Sequence, residues 1–177
     1  NNCQINCLEK NELLTRYKVV FQLSLPEKLE NEQQKRTGEK NVELSYHIIL
    51  KKDSPFLECK VKFENYIKDH RLRVMFPTDI DTEQVYAGSQ LDIVKREQEN
   101  ISKWNRDSNT APNYRFVDIH DDKNGLAVFN KGLHEYELLD DNRTTLALTL
   151  LRSVEWIGDK DYLYPTEDTR VPEAQCQ

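Results

Sequence analysis

The chain has 177 residues, 37% hydrophobic and 32% charged, with a formal net charge of −6. An acidic chain with no basic stripe is poorly suited to nucleic acid, and no apolar run approaches the ~20 residues of a membrane-spanning helix. The length fits one domain or a piece of a larger protein, and the patterned apolar runs argue against disorder.

Asn1 opens the chain without a Met or a signal peptide, so the sequence reads as a trimmed piece. Period-two patterns then dominate, each predicting a strand with one face on a core and one in water. Tyr17–Leu25 alternates until Pro26 ends it, and Val42–Leu50 and Leu57–Phe63 flank a short turn, predicting a hairpin. Leu72, Val74 and Phe76 alternate with Arg71, Arg73 and Met75 up to Pro77. Further on, Asn124-Gly125 predicts a tight turn with two positive-φ positions, joining Phe116–His120 to Leu126–Asn130. Tyr136–Leu139 and Thr145–Leu151 complete the series, split by a polar turn. About nine or ten short strands with frequent turns predict an all-β fold, an antiparallel two-sheet sandwich with long loops, as one domain over 1–177.

Two segments lie outside this pattern. Residues 27–40 are charged with no apolar stripe and read as an exposed insertion. Residues 97–113 are polar and irregular and read as a long inter-strand loop, a kind of segment that often carries function.

Few residues gather the chemistry of a site. Asp69, His70 and Arg71 are neighbours, but neighbours on a strand point to opposite faces, whereas acid–base work needs side chains that converge. A turn at Asn65–Asp69, with Asp69 and His70 bonding local backbone, is the better reading. Glu135 and Glu137 would share one strand face, a pairing glycosidases use, although such pairs are usually the wet face of a strand. Asp79, Asp81 and Glu83 alternate too but lack the glycine and later glutamate of a calcium loop. Of Cys3, Cys7, Cys59 and Cys176, only Cys3 and Cys7 are close in sequence, so no zinc ribbon is expected and the thiols read as free, in a reducing cytoplasm. No histidine pair has metal-binding helical spacing, and there is no glycine-rich phosphate loop. Trp104, Asn105, Trp156, Tyr162 and Tyr164 are loop aromatics and amides of the kind that hold sugars.

Several blocks, in order, carry a resemblance. His70-Arg71-Leu72-Arg73-Val74-Met75-Phe76-Pro77-Thr78 resembles the HRLRVLFPT-type segment of the C-terminal β-domain of family 38 glycoside hydrolases, the α-mannosidases. Gln90–Arg96, then Phe116–Ile119 with Asn124–Glu137, and finally Leu146–Val154 are similar to further segments of that domain, and the match extends over most of residues 15–177. It is closest to the bacterial branch that includes mannosylglycerate hydrolases.

The resemblance implies a supersandwich like that of the galactose mutarotases, within a large zinc enzyme. It puts the aspartate nucleophile, the acid and the zinc in an N-terminal catalytic barrel, so no catalytic residue, metal ligand or cofactor is expected in this chain. It implies that the β-domain packs on that barrel and edges the pocket for an α-mannoside. Arg152 is the residue most similar to that edge, and Trp156, in the polar loop that follows, is the next candidate. Eukaryotic members have paired arginines where this chain has Arg152-Ser153. The expected function is therefore the supporting β-domain of a cytoplasmic retaining α-mannosidase, silent by itself. The alternatives are a free-standing carbohydrate-binding sandwich, which would answer sugar through tryptophan fluorescence, and a mutarotase-like epimerase, which needs a converging carboxylate and histidine.

Overall fold

The computed structural model describes residues 2–30, 35–97, 110–139 and 141–154. They form fourteen strands and no helix, so the all-β expectation holds among the described residues. The chain divides into two compact units, residues 1–70 with 153–177 and residues 71–152.

The first unit is built on an antiparallel sheet ordered β1-β2-β5-β6, comprising β1 (Asn2–Lys10), β2 (Leu14–Leu25), β5 (Lys40–Lys51) and β6 (Leu57–Phe63). Asn11 closes the first hairpin, its side-chain oxygen accepting the N–H groups of Leu13 at 2.9 Å and Leu14 at 3.0 Å. The predicted hairpin at 52–56 is present, with Asp53 at φ 58° supplying the turn. Strand pairing sets side chains in rows across the sheet. Ile5, Val19, Tyr46 and Val61 form one row, flanked by Cys3-Phe21-Leu44-Phe63 and Cys7-Tyr17-Ile48-Cys59. The opposite face is mainly polar, as in the row Asn6-Lys18-His47-Lys60, with Val20 and Ile49 as its apolar members. β1 was not foreseen, because its inward positions are only Cys3, Ile5 and Cys7, and Leu8 falls out of their alternation.

The charged run over 27–40 is partly ordered into a hairpin, β3 (Lys28–Glu30) paired with β4 (Lys35–Thr37). Residues 31–34 of it lie outside the described residues. The hairpin is fastened to the crossover that follows β6. Lys68 N–H donates to the Glu27 carbonyl at 2.8 Å, and Glu27 pairs with Lys40 at 2.9 Å. Arg36 donates to the carbonyls of Asp69 at 2.5 Å and Lys68 at 3.2 Å. Asp69, at φ 54°, accepts the Leu29 N–H at 3.3 Å. The Asn65–Asp69 segment is thus a turn, and the Asp69 carboxylate also reaches a strand forty positions away.

The second unit is a two-layer sandwich. One layer is ordered β10-β13-β14-β7, from β10 (Thr110–Pro112), β13 (Glu135–Leu138), β14 (Thr145–Ser153) and β7 (His70–Pro77). The other is β12-β11-β8-β9, from β12 (Gly125–Phe129), β11 (Phe116–His120), β8 (Gln84–Gly88) and β9 (Ile93–Glu97). Alternation puts Val85 and Ala87 of β8, Val117 and Ile119 of β11, Tyr136 and Leu138 of β13, and Leu146 and Leu148 of β14 into one core, none more than 4% exposed. Val74 and Phe76 pack against it, as the β7 alternation predicts. At Gly88 an added Cβ would lie 2.2 Å from the Tyr114 carbonyl oxygen, so only glycine fits that approach.

The Asn-Gly turn differs from expectation. Neither Asn124 nor Gly125 has positive φ. The loop is the four residues from Asp121 to Asn124, and Gly125 already pairs with His120. The cause is Asp121, whose carboxylate accepts the N–H groups of Lys123 and Asn124, both at 2.7 Å, and so orders the turn without left-handed residues. Of the expected 97–113 loop, Glu97 ends β9 and Thr110–Pro112 forms β10 at a sheet edge, where Pro112 costs no ladder bond; residues 98–109, with Trp104, lie outside the described residues.

Candidate functional site

Among the described residues of the second unit, an ion-pair network lies on the β13-β14-β7 layer, on the face away from its core. On β13, Tyr136 and Leu138 turn inward, so Glu135 and Glu137 turn outward together. On β14, Ala147 pairs opposite Glu137. On β7, Val74 and Phe76 face the core, and Arg71 and Arg73 take the other side. The strand between the two charged pairs carries the short side chains of Ala147 and Thr149 on this face, so the arginines reach over it to the glutamates.

The contacts form one network. Arg73 Nη1 donates to Glu137 Oε2 at 2.5 Å, and Arg71 Nη2 donates to the same oxygen at 3.4 Å. Arg71 Nη1 donates to Glu135 Oε1 at 3.4 Å, which also accepts the Thr149 hydroxyl at 2.7 Å. Arg152 Nη1 donates to Glu135 Oε2 at 3.3 Å. Glu137 is the most buried member, its side chain 11% exposed, and Arg152 is the most open at 60%. Three guanidinium groups face two carboxylates, so one positive charge is in excess, at the exposed end. There Arg152 keeps donors for a hydroxyl or carboxylate, held in direction by Glu135.

The sequence singled out Glu135 and Glu137 as sharing a face, and they do. They are not a wet face, however, because arginines cover them. Their bonded oxygens are taken by guanidinium and hydroxyl donors, so their work is to hold arginines. The acid–histidine–cation neighbours Asp69, His70 and Arg71 do not converge. Asp69 bonds the Leu29 N–H, while Arg71 joins the network. Asp79 of the calcium candidate pairs instead with Arg143 at 2.8 Å, and that guanidinium holds its carboxyl below the usual carboxylate range. His120 stacks on Tyr86 with centroids 4.9 Å apart and has its Nδ1 2.6 Å from Asp118, a contact within one strand. Trp156 lies outside the described residues. Sequence reasoning weighed Arg71 with Asp69 and His70 and not with the glutamates it meets, and it passed over Thr149. The available signal was two arginines two apart on one strand and two glutamates two apart on another.

His70 is a half-buried histidine whose Nδ1 has no hydrogen-bond partner. Burial first, and then the Arg36 guanidinium, push its pKa below the ordinary 6.5, while the Ile67 and Lys68 carbonyls and Asp69 pull the other way. A depressed histidine is neutral when folded and takes its proton more readily when unfolded. Its contribution to stability is therefore complete above about pH 6.5 and is lost as pH falls from there toward the folded value. Urea midpoints measured from pH 8 to 5 should fall more steeply for the natural chain than for His70→Gln between pH 7 and 5. Parallel curves would contradict the assignment.

Among the described residues, no group of three or more His, Cys, Asp or Glu is gathered to hold a metal ion. These residues do not supply the donor set a zinc ion needs.

The comparisons with known proteins agree with this architecture. The family profile described as "Glycosyl hydrolases family 38 C-terminal domain" matches residues 8–166. A protein of Halalkalibacterium halodurans that carries the provisional name mannosylglycerate hydrolase is 33% identical over 187 aligned positions, covering 97% of this chain and 20% of that protein. The crystal structure of an alpha-mannosidase from Enterococcus faecalis V583 superposes with a TM-score of 0.84 at 34% identity, covering 99% of this chain and 21% of that one. A second Enterococcus faecalis structure, of a protein in glycosyl hydrolase family 38, gives 0.82 at 32% identity over the same shares. The chain thus spans about a fifth of the length of these relatives. It belongs to glycosyl hydrolase family 38, as that family's C-terminal domain.

Proposed function

We propose that this domain edges the sugar pocket of a retaining α-mannosidase and supports its catalytic barrel, without itself performing the chemistry. The observation that carries the reading is the charged network. Its carboxylates are taken up by arginines rather than poised for proton transfer, and its one exposed cation, Arg152, is fixed by Glu135. A cation held this way suits binding a sugar hydroxyl or carboxylate. Support for an α-mannoside comes from the relatives, whose names are alpha-mannosidase and mannosylglycerate hydrolase.

In this reading the nucleophile, the acid and the zinc lie in the remainder of the polypeptide. Hydrolysis passes through a covalent glycosyl-enzyme intermediate with net retention. Trp156 follows Arg152 closely and is the second residue assigned to the pocket edge. The free thiols of Cys3, Cys7 and Cys59 support a reducing compartment, the cytoplasm.

The test is hydrolysis of an aryl α-mannoside by the full-length polypeptide, with the anomer of the first-formed sugar followed by proton NMR. The α-anomer is expected first. Release of the β-anomer, or no turnover of mannosides, would contradict the reading. A carbohydrate-binding module acting alone would instead show sugar-induced changes in tryptophan fluorescence with no hydrolysis by the full polypeptide.

A further inference from the structure

The Glu135 carboxylate divides its two oxygens between different tasks. Oε1 accepts the Thr149 hydroxyl at 2.7 Å and Arg71 Nη1 at 3.4 Å. Oε2 accepts Arg152 Nη1 at 3.3 Å. The register that sets Tyr136 against Leu148 and Glu137 against Ala147 brings Thr149 opposite Glu135 on the neighbouring strand. Thr149 is only 8% exposed, and a β-branched side chain is stiff at χ1, so its hydroxyl has a fixed place. Arg152 differs. Its side chain is 60% exposed, and a long cation in solvent has many rotamers and little to choose between them. The Glu135 contact gives it direction.

The last torsion of a glutamate is broad, so the carboxylate turns freely unless its oxygens are held. Arg71 alone holds Glu135 loosely, because that guanidinium is shared, 3.4 Å from each of Glu135 and Glu137. The Thr149 hydroxyl bond is much shorter, and hydrogen bonds to a charged acceptor are the strong ones. It anchors Oε1 over β14 and leaves Oε2 turned to Arg152. We propose, on the pocket-edge reading of Arg152, that Thr149 is a positioning residue for substrate binding. It acts on Glu135 and not on the sugar: the hydroxyl locks the carboxylate, and the locked carboxylate aims the guanidinium.

A double-mutant cycle on the full-length polypeptide, with an aryl α-mannoside, tests this. Thr149→Val keeps the branched shape and removes the hydroxyl. It should lower kcat/KM about three- to tenfold, the size of one hydrogen bond. In an Arg152→Ala background the same substitution should change kcat/KM by less than about twofold, because residues that act through one contact are not additive. Thr149→Ser keeps the donor and should stay within about twofold of the natural protein. An equal loss from Thr149→Val in both backgrounds would show that the hydroxyl acts independently of Arg152 and would overturn the proposal. So would no loss at all, or a loss in Thr149→Ser as large as in Thr149→Val. In those three cases Arg152→Ala keeps its own effect, and the pocket-edge reading stands. Undiminished kcat/KM in Arg152→Ala would remove both.

Discussion

Glu137→Ala is expected to lower the unfolding free energy by about 2–4 kcal/mol. Removing one partner of a buried pair leaves the other charge without compensation, at a cost of about 3–5 kcal/mol when burial is complete. Here the loss is somewhat smaller, because the side chains of Arg73 and Arg71 keep 24% and 27% of their exposure. Arg73 loses its 2.5 Å carboxylate contact, and Arg71 keeps only its 3.4 Å contact to Glu135. Glu135→Ala should cost less, about 1 kcal/mol, since its partner Arg152 is open to solvent and exposed pairs are worth little. The pairing can be separated from the charge with the double variant Glu137→Leu with Arg73→Met, which removes both partners and should recover part of the loss. Urea unfolding of the four proteins provides the numbers, and a Glu137→Ala loss below about 0.5 kcal/mol, the size of an ordinary surface substitution, would show that the network is ornamental.

Leu146→Ala is expected to cost about 3–4 kcal/mol. Leu146 is fully buried and pairs across β13 and β14 with Leu138, itself 4% exposed, in the middle of the sandwich core. Truncation loses the transfer free energy of the removed carbons and leaves a cavity that close-packed sheets fill only in part. Val117 and Ile119, both fully buried, belong to the same core from the facing sheet, so a cavity at Leu146 is bounded by two layers. Leu126→Ala, at a position only partly buried against this core, is the internal comparison and should cost visibly less. A Leu146→Ala loss below about 1 kcal/mol would mean the two sheets do not pack as described, since buried leucine truncations rarely cost so little.

Much of this architecture was legible in the sequence because strands with one buried face alternate visibly. β2, β5, β6, β7 and β11–β14 all carry that signal in Leu, Val, Ile, Phe or Tyr. β1 escaped because its face is read by Cys3, Ile5 and Cys7 among polar residues, and β8 because Ala87 and Gly88 give little hydrophobic contrast. β10 is three residues at a sheet edge and ends in proline, which no periodicity test can see. The β3–β4 hairpin is held by Arg36 and Asp69 across more than thirty positions, so its charged sequence gave no local cue. The Asn-Gly turn misled for a different reason: Asp121, just before it, offers two short hydrogen bonds that outweigh the preference of Asn-Gly for left-handed geometry.

The candidate site was less legible than the fold. Arg71 and its glutamates are 64 and 66 positions apart, and they meet only because β14 lies between β7 and β13. Arg152 was picked out by family resemblance, and the structure adds its partner: Glu135, read from sequence as a wet-face carboxylate, is the residue that aims it. Physical reading of the strands could assign faces, and resemblance could point to Arg152, but only the sheet order joins the two.

Arg152 is the residue on which the pocket edge turns. Measured on the full-length polypeptide with an aryl α-mannoside, Arg152→Ala should lower kcat/KM by about ten- to a hundredfold, the size of one hydrogen bond from a charged group to substrate, with the melting temperature unchanged. Undiminished kcat/KM in a variant that melts like the natural protein would contradict the assignment of this domain to the edge of the sugar pocket.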